Sequence, residues 1–95
     1  MAKKVVKIQL VKEDLSPKQE RLVEEFVANW RFKYVTRKDE ELRKATGIPY
    51  SAKTMCNLDS LGKGPQGRIK FGRHIAYPAR SFFEWFVKRI EEIDN

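Results

Sequence analysis

The chain has 95 residues, 41% apolar and 35% charged, and its 20 lysines and arginines outnumber 13 acids to give a net charge of +7. That profile fits one small globular domain, or a small domain with an appended arm, and excludes a disordered chain. No apolar run approaches the roughly 20 residues of a membrane span and no signal-peptide apolar region opens the sequence, so a soluble cytoplasmic protein with no membrane partner is expected.

In chain order, "VVKIQLV" alternates Val6, Ile8 and Leu10 with Lys7 and Gln9, the pattern of a short strand or of an arm that orders only on pairing. "SPKQ" then marks a helix start: Ser16 caps, Pro17 takes the first helical position and Gln19 completes a capping box. Leu22, Val23, Phe26, Val27 and Trp30 follow at helical spacing, which predicts an amphipathic helix over residues 17–31. In "VTRKDEELRKATGI", Thr36 is the expected cap, three acids occupy the first turn, Arg43 and Lys44 lie near the end, and Gly47 stops the helix. "PYSAKTMCNLDSLG" begins another, with Ser51 as cap, Met55, Leu58 and Leu61 as the inward stripe, and Gly62 at its end. Only Gly47 to Ser51 separate these two short helices, a spacing that predicts a helix-turn-helix.

The stretch "GKGPQG", Gly62 to Gly67, matches the glycine pattern of a dinucleotide-binding loop. Such a loop follows a strand and opens a helix, so that phosphate meets the helix N-terminus. Here a helix precedes the glycines, an alternating segment follows, and Pro65 removes one amide from the supposed cradle. The match is read as chance, Glu84 as a solvated face residue, and no cofactor is expected.

In "RIKFGRHIAY" a three-residue loop of Gly72, Arg73 and His74 would set Phe71 opposite Ile75 and Ile69 opposite Tyr77, with all four on the core side. A two-residue loop would pair Phe71 with His74 and split that set, so the longer loop with a bulge is preferred. The opposite face and tip would then present Arg68, Lys70, Arg73 and His74, a basic wing beside the helix-turn-helix. Pro78 opens the last helix, whose Phe82, Phe83, Phe86, Val87, Ile90 and Ile93 form a broad apolar face with Trp85 beside it. A chain this short buries only about 60–65% of its unfolded surface, and its aromatic residues are assigned to that core.

Charge is uneven along the chain. Between positions 51 and 77, Lys53, Lys63, Arg68, Lys70 and Arg73 face a single acid, Asp59. A basic patch of this kind is the electrostatic footprint of a polyanion binder.

The run "YVTRKDEELRKATGIPYSAKTMCNLDSLGKGPQGRIKFGRHIAYPARSFFEWF" resembles the excisionase-type, MerR-like winged helix-turn-helix domains. The resemblance is carried by the "GIPYSAKTM" turn into a helix, then "GKGP", "IKFGRHIAYP" and the aromatic "SFFEWF", and it covers roughly residues 34–87. In such domains a glycine-arginine at the wing tip and a late tryptophan are typical, and Gly72-Arg73 and Trp85 match them. The fold it implies is α+β, a mostly helical winged helix-turn-helix over residues 34–93 with a two-stranded wing hairpin. Residues 1–33 form an N-terminal extension of one strand and one helix. Leu22, Phe26 and Trp30 of that extension either pack on the domain or form a dimer seam or a docking face for a recombinase or polymerase.

The resemblance implies that the helix from Ala52 to Leu61 enters the major groove of double-stranded DNA. Lys53 would reach guanine or phosphate, Asn57 adenine, and Thr54 a thymine methyl or phosphate, while Ser51 is kept as the cap. Arg73 would enter the minor groove, with Lys70 and Arg68 on phosphates and His74 near phosphate or solvent. One short helix and one wing contact little DNA, which leaves a homo-oligomer on DNA as an option. Family members include recombination directionality factors, phage and prophage transcription regulators and small terminase-subunit domains.

No nucleophile–base pair or clustered carboxylate site is present, and His74 with Cys56 cannot assemble a structural zinc site, so no enzyme and no metal are expected. Cys56 is read as partly buried beside the inward stripe. The leading expectation is a sequence-specific, non-catalytic DNA-binding protein of excisionase or phage-regulator type, acting by positioning or bending DNA or by transcriptional control. The alternatives are a winged-helix protein–protein or phage packaging adaptor and, third, an RNA binder.

Overall fold

The computed structural model describes residues 15–90. Among them, four helices and a three-stranded antiparallel sheet run in the order α1 (Pro17–Asn29), β1 (Tyr34–Thr36), α2 (Asp39–Thr46), α3 (Ala52–Ser60), β2 (Ile69–Phe71), β3 (His74–Pro78) and α4 (Ala79–Lys88). The expected strand around Val6, Ile8 and Leu10, and Ile93 at the other end, lie outside the described residues.

The first helix starts where its local chemistry dictates. The Gln19 amide donates to Ser16 Oγ at 3.1 Å and the Ser16 amide donates to Gln19 Oε1 at 2.9 Å, a reciprocal capping box with Pro17 at the first turn. The helix stops at Asn29 rather than continuing to residue 31, because Trp30 turns to extended backbone and its indole N–H donates to the Tyr34 carbonyl at 3.0 Å. Its apolar face closes on α4: Val23 is fully buried, and Phe26 stacks on Phe83 at 5.1 Å and meets Phe86 edge-on at 5.6 Å. α1 therefore packs into the same core as the rest of the chain.

Thr36 does not cap the second helix. It belongs to β1, which pairs with β3 in the register Tyr34 with Pro78, Val35 with Tyr77 and Thr36 with Ala76. Ladder pairing and the complete burial of Val35 outweigh the side-chain cap, and α2 starts later, with Lys38 at its N-cap and no side-chain hydrogen bond there. The acids Asp39, Glu40 and Glu41 do occupy its first turn, Arg43 and Lys44 its last, and the helix ends at Gly47.

α3 has the Ser51 cap, whose Oγ accepts from the Thr54 amide at 3.1 Å. The carboxylate of Asp39 accepts from the Ala52 amide at 2.7 Å, so the first residue of α2 also holds the start of α3. The inward stripe differs from the expected one: Met55 and Asp59 are buried, Leu58 is half-buried and Leu61 is 66% exposed. Leu61 lies beyond the last helical residue, so the turn that ends the helix carries it off the inward face.

The hairpin has the register that the sequence reading rejected. Phe71 pairs with His74, Lys70 with Ile75 and Ile69 with Ala76, around a loop of only Gly72 and Arg73. Gly72 has φ +64° while Arg73 does not adopt positive φ, the pattern of a type II′ hairpin turn with glycine at its first central position. A one-residue slip moves every side chain of a strand to the other face. Ile69 and Phe71 consequently point away from the core, and Phe71 is 77% exposed. The core side of β3 is filled by Tyr77 and the half-buried Ile75.

Pro78 is at once the last residue of β3 and the N-cap position of α4. Phe82 and Phe83 are fully buried, with Phe86 and Val87 nearly so. Ile90 falls past the helix end and is exposed, contrary to its expected place on the apolar face. Trp85 stacks on Tyr50 at 6.0 Å and donates its indole N–H to the Lys63 carbonyl at 2.8 Å, while Ser81 Oγ donates to the Gln66 carbonyl at 2.8 Å. Two side chains of α4 thus pin the glycine-containing loop that leads from α3 into β2.

Candidate nucleic-acid interface

Every side chain that the sequence nominates for DNA contact is exposed: Lys53, Thr54 and Asn57 on α3, and Arg68, Lys70, Arg73 and His74 on the hairpin or immediately before it. With Met55 and Asp59 turned inward, Lys53, Cys56, Asn57 and Ser60 follow one another at three- and four-residue spacing along the outer side of α3. Cys56 is exposed rather than partly buried, because the inward stripe passes through Met55 and Asp59. Thr54 Oγ1 lies 2.9 Å from Ser51 Oγ, so this hydroxyl is engaged with the cap.

The four hairpin residues do not share one face. Lys70 pairs with Ile75 on the side of the sheet that carries Tyr77, whereas His74 pairs with Phe71 on the opposite side. Arg73 sits in the loop itself. Arg68 precedes β2, and its Nη1 lies 3.9 Å from Asp59 Oδ1 with the side chain about half exposed at 49%.

Asp59 is the residue that ties helix to hairpin. Its Oδ2 accepts from Arg37 Nη1 at 2.7 Å and from the Tyr77 hydroxyl at 2.6 Å, so one buried carboxylate joins α3, the segment after β1, and β3. Its Oδ1 is buried without a hydrogen-bond partner, and Gly64 packs against it so closely that a Cβ at that position would overlap the oxygen. Sequence reasoning missed this cluster. The available signal was Asp59 standing four residues after Met55, on the inward stripe, as the sole acid of a basic segment.

Burial raises the Tyr77 phenol above its ordinary range, and the hydrogen bond to the Asp59 carboxylate and its charge push the same way. A folded-state value above the unfolded one, about 10, means the contribution to stability is complete below that pH and is lost as pH rises through the folded value. Denaturant unfolding followed from pH 8 to pH 12 should show stability falling above about pH 10, and Tyr77→Phe should flatten that limb of the profile. An identical alkaline limb in Tyr77→Phe would remove this residue as its source.

The glycine motif Gly62–Gly67 leaves a helix and enters a strand, the reverse of the order a dinucleotide loop requires. Among the described residues, no helix is long and apolar enough to cross a membrane. The chain matches no protein-family model, and neither a curated protein nor a solved structure matches it at a significant level.

Proposed function

We propose that this chain is a non-catalytic, sequence-specific double-stranded DNA-binding protein, a winged helix-turn-helix of excisionase type that positions or bends DNA or controls transcription. One observation carries the reading. The only acid between positions 51 and 77 is buried against Arg37, so the exposed formal charge of this segment, from Lys53, Lys63, Arg68, Lys70 and Arg73, is entirely positive. A surface of one sign concentrates polyanions and neutralises phosphates with release of counterions.

The local geometry suits the task. An α-helix is about 10–12 Å across with its side chains, which matches the major groove's width of about 12 Å, and the nine residues of α3 give it about two and a half turns to place there. In this reading Lys53 and Asn57 face base edges, Arg73 meets the minor groove, and Lys70 sits on phosphate. Arg68 contacts phosphate only by competing with its attraction to Asp59. A recombinase or another phage protein would be a further partner, and copies side by side would extend the small footprint.

The test is an NMR titration of the labelled protein with a random-sequence duplex at low and moderate salt, repeated with Lys53→Glu/Arg73→Glu. Shifts should cluster at Lys53–Asn57 and Lys70–His74 and fade steeply with salt. The double variant should bind at least about tenfold more weakly, with a shallower salt slope. Absence of shifts in these segments at low salt would overturn the reading.

A further inference from the structure

We propose that Phe71 is an apolar wedge that enters the minor groove and opens a base step, so that the hairpin kinks the duplex it binds. This rests on the DNA-binding reading above and adds to it a residue and a mechanical action. Phe71 is 77% exposed, the highest exposure among the large apolar side chains of the described residues. The exposure follows from the fold itself. The two-residue loop of Gly72 and Arg73 sets the register that turns Ile69 and Phe71 outward, whereas a slip of one residue would turn both toward the core.

The chemistry around the ring selects its occupant. Arg73 sits in the loop two residues after Phe71, Lys70 precedes Phe71 on the opposite side of the sheet, His74 pairs with Phe71 across the hairpin, and residues 66–78 contain no acid. An exposed aromatic ring next to the loop cation Arg73, on a hairpin with no acid to compensate it, matches a ligand that offers apolar stacking faces between rows of negative charge, and a DNA base step between its phosphates is such a ligand. A protein partner would have to supply carboxylates around an apolar pocket, and nothing on this hairpin favours that more specific arrangement. Only two residues lie beyond Phe71 before the chain returns, so the apex is narrow and the ring is close to its tip. The minor groove is about 6 Å wide, and the axes alone of two paired strands lie about 4.8 Å apart, so with its backbone and side-chain atoms the hairpin is wider than the groove and entry requires the groove to open. Partial unstacking toward the major groove provides that opening, at the lowest cost at flexible pyrimidine–purine steps.

The test uses the full chain and a 30-base-pair duplex of mixed sequence containing central TA steps, with dyes at its ends for energy transfer and anisotropy to follow binding. The wild-type protein should shorten the end-to-end distance. Phe71→Ala should bind on the order of tenfold more weakly, leave the duplex unbent, and keep the wild-type salt slope, because no charge is removed. Phe71→Leu, which keeps an apolar wedge, should retain most of the bend. The ring is exposed, so all three proteins should melt together, which separates these effects from folding. If the wild type binds and Phe71→Ala bends the duplex equally, the wedge is overturned while DNA binding stands. If the wild type fails to bind at low salt, both inferences fall.

Discussion

Asp59→Ala should destabilise the protein by about 3 kcal/mol, read as a lowered midpoint in urea unfolding with an unchanged slope. The substitution leaves two groups without their partner. Arg37 keeps its charge, with only 20% of its side chain in water, and the Tyr77 hydroxyl loses its acceptor at 2.6 Å inside the core. Breaking a buried pair costs about 3–5 kcal/mol in general. The lower end applies here because water reaches part of Arg37. Asp59→Asn should recover a fraction of the loss, since an amide oxygen still accepts from both donors but carries no charge.

The control for this result is a coordinated replacement. Changing Asp59 to Leu together with Arg37→Met and Tyr77→Phe removes both stranded partners, and such apolar replacements of buried ion networks are often neutral or stabilising. The triple variant should therefore be more stable than the Asp59 single variant, a non-additive outcome expected of groups in contact. Additive losses across the three substitutions would show that the cluster does not act as a unit. The functional consequence follows from its position, because the same carboxylate links α3 to β3 and so sets the outer side of α3 relative to the hairpin.

The second large effect is expected at Phe83. Its ring is fully buried and touches Phe26 at 5.1 Å, Phe82 at 5.3 Å and Trp30 at 6.5 Å. Phe83→Ala removes a shared contact of α1 and α4 and should cost about 3–5 kcal/mol, lost transfer energy plus the cavity left behind. For a domain of this size that corresponds to a melting temperature lower by on the order of 15 °C. Total stability for such domains is typically about 5–15 kcal/mol, so a substantial part of it would be gone. The loss should be felt first in α1, whose amide protons should exchange faster than those of α3. Equal acceleration throughout would instead indicate that α1 and α3 unfold together.

The parts of this structure that were legible from sequence are those decided within a few residues. Ser16 with Gln19 and Ser51 with Thr54 form the expected caps, because cap and amide are three residues apart and no distant group is needed. The aromatic face of α4 was legible for the same reason: Phe82, Phe83, Phe86 and Val87 recur at helical spacing in one short run. The nominated DNA-contact residues are all exposed, since long cations and short polar side chains rarely bury without partners.

Local pattern failed where a distant segment had a stake. Thr36 reads as a helix cap in isolation, but β3 stands opposite it, and the ladder and the buried Val35 claim it for a strand. Alternation in "RIKFGRHIAY" is compatible with two registers that differ by one residue. The longer loop gathers more apolar residues on one face, which made it attractive, yet the Gly72-Arg73 turn and the placement of Tyr77 opposite Val35 select the shorter one. The side of the sheet on which Phe71 and Lys70 fall was therefore a tertiary outcome.

Asp59 illustrates the division most clearly. Composition marked it as an isolated acid in a basic segment, and helical spacing put it in line with Met55. Its partners, Arg37 and Tyr77, lie 22 and 18 residues away, and no local rule connects them. From the sequence alone came the helices, the caps of α1 and α3, the aromatic core and the sign of the exposed charge, all properties of residue type and short-range spacing. The tertiary structure decided the hairpin register, the third strand and the buried carboxylate that joins helix to hairpin, because each depends on which distant groups meet when the core closes.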